Sequence, residues 1–235
     1  MITNNYKYLL KTKAFHNKSY KKKGLNFQRI YPNEDVIRFL KKYFKKKEKK
    51  LFLELGCGSK RHLNFLSNEG HLVHGLDFSE ASIKLLRKEK EKNSIKIFYD
   101  YIPSMKLVSK FRYDGIIDCF TSYTLIQKDY FEFLKKVKVI LKTGGRYHGQ
   151  LMSSKSDLFK KYKPSKKVHN NSLQTIERMT SPFGKDKYLF TFYEKKSLIK
   201  KFKLLGFKDI LLETHSRSYR NGKEYFEYFV ISFKT

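Results

Sequence analysis

From Leu51 onward, short apolar runs alternate with amphipathic stretches, and this alternation limits the fold more than any other feature of the chain. LFLELG, HLVHGLD, SIKIFYD and YDGIIDCF each read as a buried strand. A helix with Leu63, Phe65 and Leu66 separates the first two and closes at Gly70; another, with Ile83, Leu85 and Leu86 behind a Ser79 cap, separates the next two. A helix carrying Phe131, Phe133, Leu134, Val137, Ile140 and Leu141 leads into a fifth strand, RYHGQLM. Strands separated by helices pair in parallel through βαβ crossovers. FKDILLETH supplies a sixth strand, and the turn Arg220-Asn221-Gly222-Lys223 folds EYFEYFVISFK back as an antiparallel partner. The expected fold is α/β: a Rossmann-like, doubly wound, seven-stranded sheet, mostly parallel with an antiparallel C-terminal hairpin strand, and helices on both faces.

Residues 1–33 are basic and aromatic (Tyr6, Tyr8, Phe15, Tyr20, Phe27, Tyr31) and read as an N-terminal arm or cap. Asn33 can cap a helix through Val36, Ile37, Phe39, Leu40, Tyr43 and Phe44, which opens a single domain over residues 34–235. Residues 153–190 lack periodicity and read as a substrate-side insert. Thr191-Phe-Tyr-Glu194 reads as a capping box for the helix with Leu198, Ile199, Phe202 and Leu205.

No run approaches the roughly 18 to 20 apolar residues of a membrane span. The first residues lack the apolar region of a signal peptide, and Cys57 and Cys119 are too few for a disulfide framework. A reducing bacterial cytoplasm is the expected location. The formal net charge is +30, from 52 basic and 22 acidic residues in 235. Lysine outnumbers arginine 43 to 9, and alanine occurs twice, the bias that AT-rich coding DNA produces. The charge therefore reads first as solvated surface, with a functional basic face as the second reading. No His, Asp or Glu cluster has metal-ligand spacing, so no metal is expected.

The strongest local signal is Glu54-Leu-Gly56-Cys57-Gly58-Ser-Lys-Arg, where the first strand gives way to the first helix. Glycines there permit close backbone approach to a ligand, and the helix start presents free N–H groups. No Walker lysine follows, and the pattern is not the dinucleotide GxGxxG. Asp77 ends the second strand 23 residues after Glu54, and Asp100 ends the third 23 residues later. A carboxylate about 20 residues past a glycine turn suits a ribose diol, because it can accept both hydroxyl protons. Asp77 can also cap the next helix, Asp100 can be an ordinary loop carboxylate, and Asp118 can be a buried capping group.

ELGCGS, GLDFS, FYDY, YDGIIDCF, LKTGGRY and FTFYEKKSLIKKFKLLGFKDI, in that order, resemble the class I S-adenosylmethionine-dependent methyltransferases. The resemblance spans about residues 34 to 235. It implies that Glu54, Gly56, Cys57 and Gly58 surround the methionine part of S-adenosylmethionine. By the same resemblance Asp77 holds the ribose, Phe78 flanks the adenine, and Asp100 and Tyr101 meet its amino edge. Asp118 and Cys119 would border the transferred methyl, with S-adenosylhomocysteine as product. Lys60 stands where the family often has a third glycine and is expected to avoid the close-approach conformation.

The implied reaction is direct displacement on a small acceptor, by O- or N-methylation. The basic character points to an anionic or sugar-containing acceptor, such as a nucleotide sugar or a surface-polysaccharide precursor. Tyr31, Arg178 and Lys185 are the candidate substrate contacts. A sugar hydroxyl would benefit from a base, for which His148, Tyr123, His169 and Glu177 are candidates, although His148 reads first as a packed histidine. Two alternatives stay open: an RNA or DNA methyltransferase using the basic surface, and a non-catalytic binding subunit that keeps the fold. Oligomeric state is not legible.

Overall fold

The computed structural model describes residues 6–28, 30–44, 48–88, 93–163, 165–173 and 188–235. Five parallel strands form its centre: β1 (Leu51–Leu55), β2 (Leu72–Asp77), β3 (Ile95–Tyr99), β4 (Tyr113–Asp118) and β5 (Leu141–Ser153). They lie in the order β3-β2-β1-β4-β5. The first crossover chain runs outward from β1 to β3, and β4 returns to the other side of β1. This reversal creates the crevice in which doubly wound sheets bind ligands.

Alternation along β1 feeds two cores. Phe52 packs with Val36, Phe39 and Leu40 of α2 (Glu34–Tyr43), Leu63 and Leu66 of α3 (Arg61–Asn68), and Leu86 of α4 (Glu80–Lys88). Leu53 and Leu55 face the other layer, with Phe133, Leu134 and Val137 of α5 (Gln127–Ile140) and Leu198 and Phe202 of α7 (Lys195–Leu204). Burying both faces of the strands is why they read as continuous apolar runs.

Beyond β5 the chain departs from the expected pattern. β9 (Lys208–Tyr219) and β10 (Glu224–Lys234) form the C-terminal hairpin, and β10 pairs antiparallel with β5. Its turn uses left-handed Arg220 and Asn221, with φ near +55° and +54°. The seven strands expected are thus present, but among the described residues the sheet has ten. The additional three, β6 (Lys167–His169), β7 (Ser172–Leu173) and β8 (Phe190–Tyr193), come from the insert and its exit. A short helix, α6 (Asp157–Lys160), precedes them. Met152 pairs with Tyr228 on one side and with Phe192 on the other. β8 therefore occupies the edge of β5 that β4 vacates after Asp118.

Thr191-Phe-Tyr-Glu194 is not a capping box. Phe190–Tyr193 is strand β8, and Glu194 makes no side-chain cap bond at the start of α7. All four β8 residues are buried, so tertiary burial overrides the local capping signal. The other caps form: Asn33 Oδ1 accepts the Asp35 N–H at 2.9 Å, and Ser79 Oγ accepts the Ser82 N–H at 3.2 Å.

The N-terminal segment contributes an 18-residue helix, α1 (Tyr6–Lys23). It docks on the start of α4, where Asn17 Oδ1 accepts the Ala81 N–H at 3.1 Å and the Ser79 hydroxyl at 2.8 Å. Lys13 Nζ pairs with Glu80 at 2.7 Å beside them. Among the described residues no helix is long and apolar enough to cross a membrane.

Candidate active site

A cleft of about 500 Å³ opens at the carboxyl ends of β1, β2 and β4. Glu54 and Gly56 form its floor, Phe78 one flank, and Cys119 and Thr121 the other. Thr12, Phe15 and His16 of α1 roof one end. A volume of this size suits a cofactor or small-molecule ligand, for which pockets of roughly 300–1,000 Å³ are usual.

The floor is built around one buried pair. Glu54 Oε1 accepts from His62 Nδ1 at 2.6 Å, and the Asn33 backbone N–H donates to His62 Nε2 at 3.1 Å. Because Asn33 offers a hydrogen to Nε2, that nitrogen must carry a lone pair. His62 therefore keeps its proton on Nδ1. Glu54 Oε2 is buried and has no hydrogen-bond partner among the described residues. It lines the cleft with an unneutralised acceptor, a feature that calls for a cationic or hydrogen-donating ligand.

The glycine turn explains itself by crowding. Gly56 has φ +64°, and a Cβ there would sit 2.5 Å from Thr121 Cγ2. Gly58 has φ +49°, and a Cβ there would meet Gln28 Oε1 at 2.1 Å and Tyr20 Oη at 2.6 Å. Gly58 is thus closed over by the N-terminal segment and does not line the cleft, nor does Cys57. Lys60 does not avoid the left-handed region: it has φ +54° and ψ 22°, the backbone a glycine would adopt there. It is buried, and its N–H donates to the Cys57 carbonyl at 2.8 Å, which completes the turn.

Asp77 lies at the cleft wall and braces the loop. Its Oδ2 accepts the Gly58 N–H at 2.9 Å and its Oδ1 the Ser79 N–H at 2.8 Å. Burial raises its pKa, and these two N–H bonds oppose the rise. Cys119 Sγ donates to Gln150 Oε1 at 2.9 Å, while burial pushes its pKa up to about 12. It is a thiol, not a thiolate nucleophile. Gln150 Nε2 in turn donates to Asp35 Oδ2 at 2.7 Å, tying β5 to the start of α2.

Other expected residues are placed elsewhere. Asp100 turns back on its own loop, accepting the Tyr101 N–H at 2.8 Å and the Leu107 N–H at 3.1 Å, and neither Asp100 nor Tyr101 lines the cleft. Asp118 is fully buried beneath the site, accepting from Tyr147 Oη at 2.5 Å and the Ser122 N–H at 2.9 Å, the contacts of a capping group. His148 is buried against Phe39, with burial lowering its pKa to about 3, and it reaches neither cleft. His169 sits on β6, edge-on to Tyr8. Tyr123 does line the cleft, its hydroxyl 2.7 Å from that of Tyr188. Arg178, Lys185 and Glu177 lie outside the described residues. Tyr31 lines a second cleft, described below.

Residues 52–145 match a family model described as a methyltransferase domain. Over those residues the chain is similar to methyltransferase domains. No curated protein matches the sequence. Among solved structures, this methyltransferase fold is similar to the 1,6-didemethyltoxoflavin-N1-methyltransferase of Burkholderia thailandensis, crystallised with 1,6-didemethyltoxoflavin and S-adenosylhomocysteine. That match has TM-score 0.65 and 13% identity over 100% of this chain and 92% of the other. A Methanosarcina mazei methyltransferase matches with TM-score 0.63 and 18% identity, over 83% of this chain and 96% of that one. One from Clostridium acetobutylicum gives 0.61 and 14%, over 86% and 89%. At these identities the likeness is one of fold.

The Burkholderia enzyme holds S-adenosylhomocysteine, the product that S-adenosylmethionine leaves when it gives up its methyl group. The residues present fit such a donor. The unpartnered Glu54 Oε2 offers a place for an ammonium group, and Gly56 leaves the backbone bare beside it. Phe78 gives an aromatic flank, and Asp77 retains lone pairs beyond those used by Gly58 and Ser79. Among the described residues no group of three or more His, Cys, Asp or Glu could hold a metal.

Sequence reasoning missed His62 as the partner of Glu54, and it missed Arg61, Arg217 and Tyr228 at the mouth. One available signal was the scarcity of arginine in a lysine-rich chain.

Proposed function

We propose that the protein transfers a methyl group from S-adenosylmethionine to a small, anionic or sugar-containing acceptor by direct displacement. The observation that carries this reading is the unpartnered carboxylate oxygen of Glu54, buried on the floor of a cleft at the sheet's switch point. When bound, S-adenosylmethionine supplies a methyl group already activated by a sulfonium, so the chain's task is mainly alignment. Glu54, oriented by His62, would hold the amino-acid end, and Asp77 the ribose. Phe78 and the α1 side chains His16 and Phe15 would exclude water from the nucleoside, which gives residues 1–33 the role of a cap over the domain of residues 34–235.

Cys119 and Tyr228 keep their protons at neutral pH, since burial raises both to about 12. Neither is a general base in its resting form. An acceptor that is nucleophilic without deprotonation, such as a carboxylate or neutral amine, fits this lining better than a hydroxyl. The test is calorimetric titration of S-adenosylmethionine and S-adenosylhomocysteine into the protein, with Asp77→Ala alongside, followed by an acceptor screen that begins with nucleotide sugars. Micromolar cofactor binding that weakens in the variant supports the reading, and no binding by the natural protein removes it.

A further inference from the structure

A second cleft, of about 650 Å³, adjoins the first. Five residues line both: Gln28, Asn33, Arg61, Arg217 and Tyr228. The two spaces therefore share a wall at Arg61 and Arg217, and whatever occupies the second reaches the first there. Tyr31, 76% exposed, stands at the outer rim.

The charge of this cleft does not follow the composition. The chain has 9 arginines against 43 lysines, yet Arg38, Arg61 and Arg217 line this cleft and no lysine does. They converge from α2, α3 and β9, elements far apart in sequence. Solvated surface charge would be expected to be lysine here, as it is elsewhere on the chain. Arginine differs by its planar fork, which matches a carboxylate or a phosphoryl group with paired hydrogen bonds.

The three arginines are not equivalent. Arg38 lies 3.6 Å from both Asp35 and Glu213, so its charge is neutralised within the wall. Among the described residues Arg61 reaches the Cys119 sulfur, at 3.6 Å. Among the described residues no carboxylate pairs with Arg61 or Arg217. Two unpaired guanidinium groups thus stand at the neck between the clefts. Glu34 and Asp35 face the same space, and Gln150, Arg38 and Tyr228 occupy the oxygens of Asp35.

We propose that the second cleft is the acceptor subsite and that Arg61 and Arg217 pair with an oxyanion of the acceptor, a carboxylate or a phosphoryl group. This rests on the methyl-transfer reading above and names the substrate class and the residues that select it. The anion is held at the neck, which sets the rest of the acceptor beside Cys119 and Tyr228, next to the cofactor cleft.

The experiment is titration of inorganic pyrophosphate and of citrate, as phosphoryl and carboxylate probes, into the protein at physiological salt. It is run with and without S-adenosylhomocysteine, on the natural protein, Arg217→Gln, Arg217→Lys, Arg61→Gln and a surface control, Lys84→Gln with Lys200→Gln. One probe should bind saturably. Its affinity should fall about tenfold or more in either glutamine variant, less in Arg217→Lys, and not in the lysine control. The tighter probe identifies the oxyanion. The proposal is overturned if neither probe saturates, if binding survives both glutamine variants, or if the lysine control loses as much, which would mark diffuse charge. S-adenosylhomocysteine binding, read in the same cells, reports on methyl transfer separately. Its absence with probe binding intact would remove the enzyme and leave the anion site.

Discussion

His62 donates from Nδ1 to Glu54 Oε1 at 2.6 Å, with both side chains almost wholly buried, and the opposite ring nitrogen is fixed by the Asn33 N–H. The pair holds one carboxylate oxygen still so that the other faces the cleft. Replacing His62 with Phe should leave Glu54 without its donor and Asn33 without its acceptor. The expected cost is about 2 kcal/mol of stability and about a tenfold loss of S-adenosylhomocysteine affinity. Urea unfolding and calorimetry read the two effects. Unchanged cofactor affinity would show that Glu54 needs no orientation.

Asp77→Asn tests a different demand. Both oxygens accept backbone N–H groups, so an amide must turn its own N–H₂ toward either Gly58 or Ser79. The variant should be less stable than the natural protein by about 1–2 kcal/mol and bind cofactor at least tenfold more weakly. Equal cofactor affinity in thermal-shift and calorimetric assays would take Asp77 out of the binding site.

Gly58→Ala should disturb the N-terminal segment more than the cleft. The added methyl meets Gln28 and Tyr20, and the left-handed backbone there costs a non-glycine residue about 1 kcal/mol. Limited proteolysis should cut near α1 sooner in the variant. Cleavage at the natural rate would mean the segment adjusts without undocking.

Acid should destabilise the protein through buried histidines. Burial lowers His74 to about 4 and His148 to about 3, from an ordinary value near 6.5. Below pH 6.5 the unfolded chain takes up protons that the folded one refuses. Stability therefore falls as pH drops from about 6.5 toward 4, by about 2 kcal/mol for each histidine at pH 5. Urea midpoints measured between pH 7 and pH 5 check this, and His148→Gln should flatten the slope. A natural-protein midpoint that holds constant over that range would contradict it.

The central fold was legible because its signals are local. Strand periodicity, the Asn33 and Ser79 caps and the Arg220–Lys223 turn each depend on a few neighbouring residues, and each forms as read. The floor of the cleft was half legible. Glu54 and Asp77 are marked by strand ends, but His62 becomes their neighbour only when α3 turns back over β1. Asp100 carried the right spacing, yet its oxygens close a local turn that no spacing rule anticipates. Lys60 was misjudged because a buried loop can hold a lysine in a backbone that favours glycine. The arginines of the second cleft come from three distant elements, and only the completed hairpin brings Arg217 to Arg61.

The splice of β8 onto β5 has a mechanical consequence. β8 is joined to β5 only at Met152–Phe192 and Ser153–Tyr193 and by the Ser154 N–H to the Tyr193 carbonyl, whereas β10 is joined from Arg146–Lys234 through Met152–Tyr228. Local opening follows the shorter seam, because fewer ladder bonds must break together. The ribbon that carries Tyr188 and Phe190 beside Tyr123 can then breathe while the strands bearing Glu54 and Asp77 stay zipped. Amide exchange at Tyr193 should outpace that at Val230 and Ile231, as expected of a ribbon held more loosely than the sheet it joins.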